Sequence, residues 1–330
     1  MKTTPKHIAL IAGGYSGELE VSKQSQDSIH QFLSNTPYVV HKVLITKESW
    51  KVLLPDDSWT DIDKNDFSFI TLQGSRQTFD YAYITIHGTP GENGLLTGYL
   101  EMLNIPYSCC STLVSALTFD KFVCNKYLSA FGIKVTKGVR VFHNNLTQLE
   151  ELSQTLNYPV FVKPCNGGSS LSTHKVLLAK DLQRAVTDAL SVDGQVIIEE
   201  FIEGTEVTCG CYQDASGIHL LPITEVVTHN EFFDFNAKYN GEVEEITPAR
   251  IPKELTQKVH DITRQVYRLL NARGIIRIDF IIKDEIPYLL EVNTTPGMTA
   301  TSFIPQQVQA CGQSMKNVLC SIIDFHLSTL

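Results

Sequence analysis

The sequence predicts an α/β and α+β protein, with a doubly wound parallel-sheet domain at the N-terminus and α+β units after it. Three observations carry this. The 330 residues exceed what one hydrophobic core usually organises, so two or three packed domains are expected. The first third alternates short apolar runs, glycine turns and segments of helical period, as parallel sheets do. The rest mixes strand-like and helical runs in the manner of α+β proteins. At 43% hydrophobic and 19% charged residues the composition is that of an ordinary globular protein.

In order, the chain reads as a strand His7–Ile11, a glycine turn, a helix over about Glu20–Leu33 and a strand Val39–Ile45. A third buried strand, Tyr81–Ile86, runs into His87-Gly88. Helical spacing over Leu95–Leu103 and then Ile105-Pro106-Tyr107 close a unit spanning 1–109. A second unit, 110–203, opens with a helix around Phe119–Ala130. It continues through strand Val139–Phe142, helix Leu146–Leu156, strands Val160–Lys163 and Lys175–Leu178, helix Leu182–Leu190 and strand Gln195–Glu200. The third unit, 204–330, has several strands from Glu206 and a polar, aromatic stretch Thr228–Thr247. A long helix over about Lys253–Leu270, two strands and two closing helices complete it.

The formal charge of −9 is spread along the chain, and no stripe of Lys and Arg stands ready to neutralise phosphodiesters, so nucleic acid is not an expected partner. Met1–Pro5 is short and polar, and the apolar run Ile8–Ala12 stops at Gly13-Gly14. Neither a signal peptide nor a membrane span is expected, and the address reads as cytoplasmic. The eight cysteines include Cys109-Cys110 and the pair Cys209 and Cys211, spacings that suit neither a disulfide framework nor a CxxC zinc site; all read as reduced thiols.

Chemistry concentrates first in two strands, Gly274–Ile282 and Tyr288–Asn293, that read as an antiparallel hairpin. Alternation puts Arg277 and Asp279 on one face with Ile276, Ile278 and Phe280 on the other. Glu291 and Asn293 share a face opposed to Leu290 and Val292. Carboxylates left unpaired among such apolar neighbours would cost several kcal/mol, so a cation belongs between them. Two acids and an amide suit Mg²⁺, while a structural Arg–Asp pair on an ordinary sheet is the equal alternative at this point.

The strand Val160–Lys163 runs into Pro164-Cys165-Asn166-Gly167-Gly168-Ser169-Ser170. The glycines let backbone N–H groups approach an anion, Ser169 and Ser170 add hydroxyls, and Lys163 adds a point charge. A glycine–serine loop is more often only a turn, but Lys121 and a third lysine, Lys238 in the aromatic run Phe232–Tyr239, keep it company. No G-x-x-x-x-G-K-[ST] occurs, and Gly13-Gly14-Tyr15-Ser16-Gly17 lacks the G-x-G-x-x-G order, which removes the P-loop and dehydrogenase readings. The strand end Glu199-Glu200-Phe201-Ile202 can offer an adenine an apolar slot, and Glu206 can accept from ribose hydroxyls.

At these residues the chain resembles the D-alanine–D-alanine ligases nearly end to end. The carrying segments are Gly13 to Ser22, His87 to Gly94, Asp120-Lys121, Lys163 to Ser170, Lys238-Tyr239, Arg277-Ile278-Asp279 and Leu290 to Thr299. The resemblance implies an ATP-grasp fold that holds ATP between two sheets, two divalent ions (Mg²⁺ or Mn²⁺) at Asp279, Glu291 and Asn293, and a homodimer. Lys121, Lys163 and Lys238 match the family's phosphate lysines, and Glu199 to Ile202 with Glu206 match its adenine and ribose contacts. It further implies synthesis of the cell-wall dipeptide, with one D-alanine carboxylate attacking the γ-phosphate and a second D-alanine amine displacing the resulting acyl phosphate. Glu18 would then bind the first ammonium beside His87, and Ser169 and Tyr239 would orient that substrate and hold the loop closed. Arg277 and the Gly297 N–H would form the oxyanion site, and Ser302 would receive the second carboxylate.

Two departures bear on the second-substrate pocket: Ile276 stands where the family often has glycine, and Phe303 where it often has leucine. A D-alanine–D-lactate ligase is the nearest competing reading, against which Tyr239 argues, since depsipeptide makers tend to carry histidine in that loop. A regulatory module that has lost its chemistry is a third, against which the intact set Arg277, Asp279, Glu291, Asn293 and Gly297 argues.

Overall fold

The computed structural model describes residues 5–143, 149, 151, 154, 157–168, 171–228 and 243–329. The first sheet is centred on β1 (Lys6–Gly13), which pairs in parallel with β2 (Tyr38–Ile45) and β7 (Tyr81–Ile84). Helix α1 (Leu19–Phe32) crosses between β1 and β2 and buries Ile29 against Ile8 and Leu10. Four further strands, which periodicity alone did not reveal, extend this sheet antiparallel beyond β2: β3 (Trp50–Leu53), β4 (Trp59–Asp63), β5 (Ser68–Ile70) and β6 (Arg76–Gln77). Phe69 of β5, with Phe67 just before that strand and Phe79 just after β6, packs into the core of this sheet.

Helices α2 (Leu95–Met102), α3 (Thr112–Phe119) and α4 (Lys121–Ser129) follow. The helix expected around 119–130 is α4, which begins after Asp120, whose backbone leaves helical geometry and whose carboxylate accepts from Val123 N at 2.9 Å; α3, just before it, was not expected. That cap places Lys121 at the first helical position, where the helix dipole disfavours a cation.

A four-stranded antiparallel sheet, β10-β9-β11-β8, combines β8 (Gly138–Phe142), β9 (Val160–Pro164), β10 (His174–Val176) and β11 (Gln195–Glu200), with α5 (Ala179–Leu190) packed on it through Leu182, Val186 and Ala189. The expected helix over 146–156 lies largely outside the described residues.

The third sheet runs β15-β14-β12-β16-β17, with β13 on β12. Its strands are β12 (Thr205–Asp214), β13 (Gly217–Leu220), β14 (Thr224–Thr228), β15 (Val243–Ile246), β16 (Ile276–Lys283) and β17 (Ile286–Asn293). Helix α6 (Lys253–Leu269) buries Leu255, Val259, Val266 and Tyr267 on one face of this sheet, which leaves the other face for the polar side chains. Helices α7 (Phe303–Ala310) and α8 (Met315–Ser328) end the chain, and α8 packs Val318, Leu319 and Ile322 with Ile8 and Leu10 of the first sheet.

Candidate active site

The hairpin of β16 and β17 turns through Asp284 and Glu285, both at positive φ (48° and 59°), and its register sets Arg277 opposite Asn293 and Asp279 opposite Glu291. Directly opposed residues share a face, so the four polar groups converge as alternation predicts. Arg277 grips Asp279 with both prongs, Nε at 2.9 Å and Nη2 at 2.7 Å. Thr208 of β12 donates to Asp279 at 2.5 Å, and the Asn293 amide reaches Asp279 at 3.0 Å and Glu291 at 3.4 Å. Burial opposes the Arg277 charge, but Asp279, Glu291 and Glu92 outweigh it and hold the guanidinium pKa above its ordinary value.

Alternation fails in one place. After Asp279 the register slips, Phe280 pairing with Leu289, so Leu290 is the extra residue of a bulge. The expectation that Leu290 lies with Val292 on the face away from Glu291 is corrected: Val292 is in the core, while Leu290 lines the cavity described below.

On the facing sheet Lys163 Nζ lies 2.7 Å from Glu199 Oε2. The other Glu199 oxygen accepts from Asn125 at 3.0 Å and Thr136 at 2.7 Å, so this carboxylate, 3% exposed, is held on three sides. Lys121 donates to Gly167 O at 2.6 Å and stands 3.9 Å from Glu291, and its backbone N–H reaches Cys165 O. The cap at Asp120 therefore holds Lys121 between the Gly167 carbonyl and Glu291.

The third group of side chains comes from the first sheet. Gly13 (φ +119°) has no room for a side chain, since a methyl there would meet Ile45 O at 2.1 Å. The turn it permits starts α1 at Glu18, whose side chain makes no cap bond and approaches Gly168, where a methyl would lie 3.2 Å from its Oε2. His87 is 9% exposed beside it. Glu92 accepts from Gly88 N at 2.6 Å; burial, then Glu18 and Glu291, push its pKa to about 7. Gly297 stands against Ser302, whose hydroxyl accepts from Thr299 N at 3.1 Å.

Two adjoining cavities join these groups. The larger, about 1660 Å³, lies between the second and third sheets and is lined by Lys163, Glu199, Glu200, Phe201, Ile202 and Glu206, with Asp279 and Leu290 across from them. Phe201 is flanked by Phe161, ring centres 5.6 Å apart and planes inclined at 52°, and by Lys175, whose Nζ lies over its ring 4.3 Å from the centre, which gives this wall an apolar surface with a cation on it. The smaller cavity, about 650 Å³, holds Glu18, His87, Arg277, Asn293, Gly297, Ser302 and Phe303. Lys121, Gly167, Gly168, Arg277 and Glu291 line both. Ser169, Ser170, Lys238 and Tyr239 lie outside the described residues.

Sequence profiles for the D-ala D-ala ligase N-terminus and C-terminus match residues 7–110 and 128–324. The chain belongs to the D-alanine–D-alanine ligase family. A D-alanine–D-alanine ligase of Porphyromonas gingivalis is 55% identical over 96% of both chains, and one of Parabacteroides distasonis is 51% identical over 98% of both. Among solved structures, a D-Ala:D-Ser ligase (VanG) from Enterococcus faecalis superposes with a TM-score of 0.87 at 28% identity, covering 98% of this chain and all of that one. An ATP complex of a Bacillus anthracis D-alanine–D-alanine ligase does so with 0.79 at 28% identity over 98% of each chain. The fold is thus that of the ATP-grasp ligases, as the resemblance implied.

Within this family fold, the residues present suit a divalent cation. Asp279 and Glu291 meet on one face as hard oxygen donors, and the Asn293 amide, whose nitrogen here donates to both carboxylates, would add its oxygen on turning over; three ligands are too few to enclose an ion, which leaves positions for phosphate oxygens. Among the described residues no group of three His, Cys, Asp or Glu closes on a point. Glu206 reports the local imbalance: burial, then Asp279 and Glu291, push its pKa to about 8 against the pull of Arg277.

Several contributors had no signal in spacing. Asn125, Thr136 and Thr208 act through Glu199 and Asp279 across strands remote in sequence. Glu92 lies inside the segment His87–Gly94, where no spacing or pattern of its own marks it.

The Lys163–Glu199 contact supports a test of this half of the site. Lys163→Met is expected to destabilise the protein by about 3–5 kcal/mol, because it strands a buried carboxylate. Adding Glu199→Gln should recover most of the loss in thermal unfolding. A single variant as stable as the unaltered protein would remove the pair from the account.

Proposed function

We propose that this chain is an ATP-dependent D-alanine–D-alanine ligase that joins two D-alanines through a D-alanyl phosphate, releasing D-alanyl-D-alanine, ADP and phosphate for peptidoglycan precursor synthesis. The observation that carries the reading is the union of a nucleotide-sized cavity with a small, charged one at Lys121, Arg277 and Glu291. The family and its relatives' names agree with it.

In the larger cavity, adenine lies against Glu199 to Ile202, Glu206 takes the ribose, and Lys121, Lys163 and Lys238 with Ser169 and Ser170 take the phosphates. Asp279, Glu291 and Asn293 would hold two Mg²⁺ or Mn²⁺ ions, which would neutralise the triphosphate so that a carboxylate could approach. In the smaller cavity Glu18, with His87 beside it, holds the ammonium of the first D-alanine. Its carboxylate oxygen attacks the γ-phosphorus, the bond to the β-phosphate oxygen breaks, and ADP leaves. The second D-alanine, its carboxylate at Ser302 beside Phe303, attacks the acyl carbon through its amine. The oxyanion that forms is met by Arg277 and the Gly297 N–H, and phosphate departs as the carbonyl re-forms. Ser169 and Tyr239 orient the first substrate and keep water from the acyl phosphate.

We also infer the division of labour 1–109 for substrate, 110–203 for nucleotide and 204–330 for metal and second substrate, a homodimer, and a cytoplasmic address. No described helix is long and apolar enough to cross a membrane. The test is phosphate release from ATP and Mg²⁺ with D-alanine, L-alanine, or D-alanine plus D-lactate, with products identified by mass. Release with D-alanine giving the dipeptide is the expected result. ATP binding without turnover would sink the ligase reading, and a mixed ester as main product would move it to depsipeptide synthesis.

A further inference from the structure

The loop between β17 and α7 ends on Ser302, which occupies the capping position of α7 with an extended backbone (φ −75°, ψ 156°). A serine there ordinarily turns its oxygen onto the N–H of the second or third helical residue. The third is Pro305, which has no N–H, so Ile304 is the one target left. Ser302 makes no such bond. Its oxygen faces back along the loop, accepting from Thr299 N at 3.1 Å and lying 2.8 Å from Thr299 Oγ1, while Ser302 N donates to Thr299 O at 2.9 Å. Thr299 Oγ1 in turn stands 3.4 Å from Thr301 Oγ1. Among the described residues Ser302 Oγ has no other hydrogen-bond partner. The three hydroxyl residues and Gly297 line the smaller cavity, and a methyl at Gly297 would meet Ser302 Oγ at 2.9 Å.

A hydroxyl carries one proton and two lone pairs. The Thr299 N–H occupies one lone pair of Ser302, and the contact between the two hydroxyls can run either way. If Ser302 donates to Thr299, its proton is spent and a bare lone pair meets an entering carboxylate. If Thr299 donates to Ser302, both lone pairs are filled and the Ser302 proton is left for an acceptor in the cavity. An anionic ligand selects the second arrangement, because a carboxylate accepts and cannot donate. Donation from Thr299 also polarises the hydroxyl that the anion receives. The same two contacts hold the Ser302 side chain off the Ile304 N–H, the cap it would otherwise make.

We propose that Thr299 is a positioning residue for the acceptor carboxylate: its hydroxyl donates to Ser302, which keeps the Ser302 side chain turned from the helix cap and its proton aimed into the smaller cavity. This rests on the reading of Ser302 as the residue that receives the carboxylate of the second D-alanine.

The experiment measures dipeptide formation over a range of D-alanine, fitted to two successive binding steps, in the unaltered chain, Thr299→Val, Thr299→Ser, Ser302→Ala and the double variant carrying Thr299→Val with Ser302→Ala. Valine keeps the branched shape and removes the hydroxyl; serine keeps the hydroxyl. The acceptor KM is expected to rise by about five- to tenfold in Thr299→Val, the scale of one lost neutral hydrogen bond. In Thr299→Ser it should stay within about twofold of the unaltered value. The KM for ATP and for the first D-alanine should hold within about twofold in both, a split that a merely loosened loop would not give. If Thr299 acts through Ser302, the double variant should cost no more than Ser302→Ala alone. Thr299→Ala repeats the test should valine disturb the loop, with thermal unfolding as the check. An acceptor KM within about twofold in both Thr299→Val and Thr299→Ala, beside a raised one in Ser302→Ala, would overturn the inference. So would a double variant in which the two effects multiply in full. An unmoved acceptor KM in Ser302→Ala would instead remove the reading of Ser302 on which the inference rests, and absence of dipeptide from the unaltered chain would remove the ligase reading itself.

Discussion

Arg277→Met is expected to lower kcat for dipeptide formation by about 10²- to 10³-fold, the loss that follows removal of one donor aimed at a developing oxyanion. Methionine keeps much of the volume against Phe303, whose ring centre lies 5.2 Å from the guanidinium, so the pocket keeps its shape. The KM for ATP should change by less than about threefold, because Arg277 faces the junction of the cavities and the residues proposed to contact adenine are on the other sheet. Arg277→Lys should recover only part of the rate, since a point charge cannot hold both Asp279 oxygens and still present a donor. Steady-state kinetics with each substrate varied would check this. A kcat within about fivefold of the unaltered chain would remove Arg277 from the reacting centre.

The hairpin 276–293 shows how much of this was legible in the sequence and where legibility stopped. Period-two alternation is a local property, and it placed Arg277, Asp279, Glu291 and Asn293 on one face without any knowledge of the fold. The bulge after Asp279 is a choice of cross-strand register, which no single-strand pattern records, and it turned Leu290 into the cavity. Strands β3 to β6 escaped for a related reason. They are short, partly exposed, and take their order from partners in an antiparallel extension. The helix after Asp120 was legible at nearly its observed bounds, whereas α3 before it was missed although Ser111 caps it by accepting from Val114 N.

The supporting polar contacts were illegible for a different physical reason. Thr208 meets Asp279 because β12 and β16 pair directly, and Asn125 meets Glu199 because α4 lies beside the second sheet. Such groups are ordinary in their own segments and acquire meaning only when a buried carboxylate needs its lone pairs satisfied. Family resemblance reached Glu18 and Gly297 where residue chemistry alone did not, since a glutamate at a helix start or a glycine after proline has many uses.

Asp279→Asn is expected to lower kcat by about 10³-fold, the loss of several kcal/mol of charge stabilisation at the phosphoryl group. The side chain keeps its size, and its oxygen can still accept from Thr208 at the place where 2.5 Å now separates them. What disappears is one negative charge, and with it one of the two carboxylates at the inferred cation site and the bidentate partner of Arg277. The two losses are separable. Raising Mg²⁺ should recover part of the rate if the weakened ligand set is the cause, with the activation midpoint shifted upward by about tenfold or more. Glu291→Gln should show the same shift while leaving the Arg277–Asp279 pair in place. An unchanged Mg²⁺ midpoint in both variants would move the ions away from this face and leave Asp279 only the task of holding Arg277.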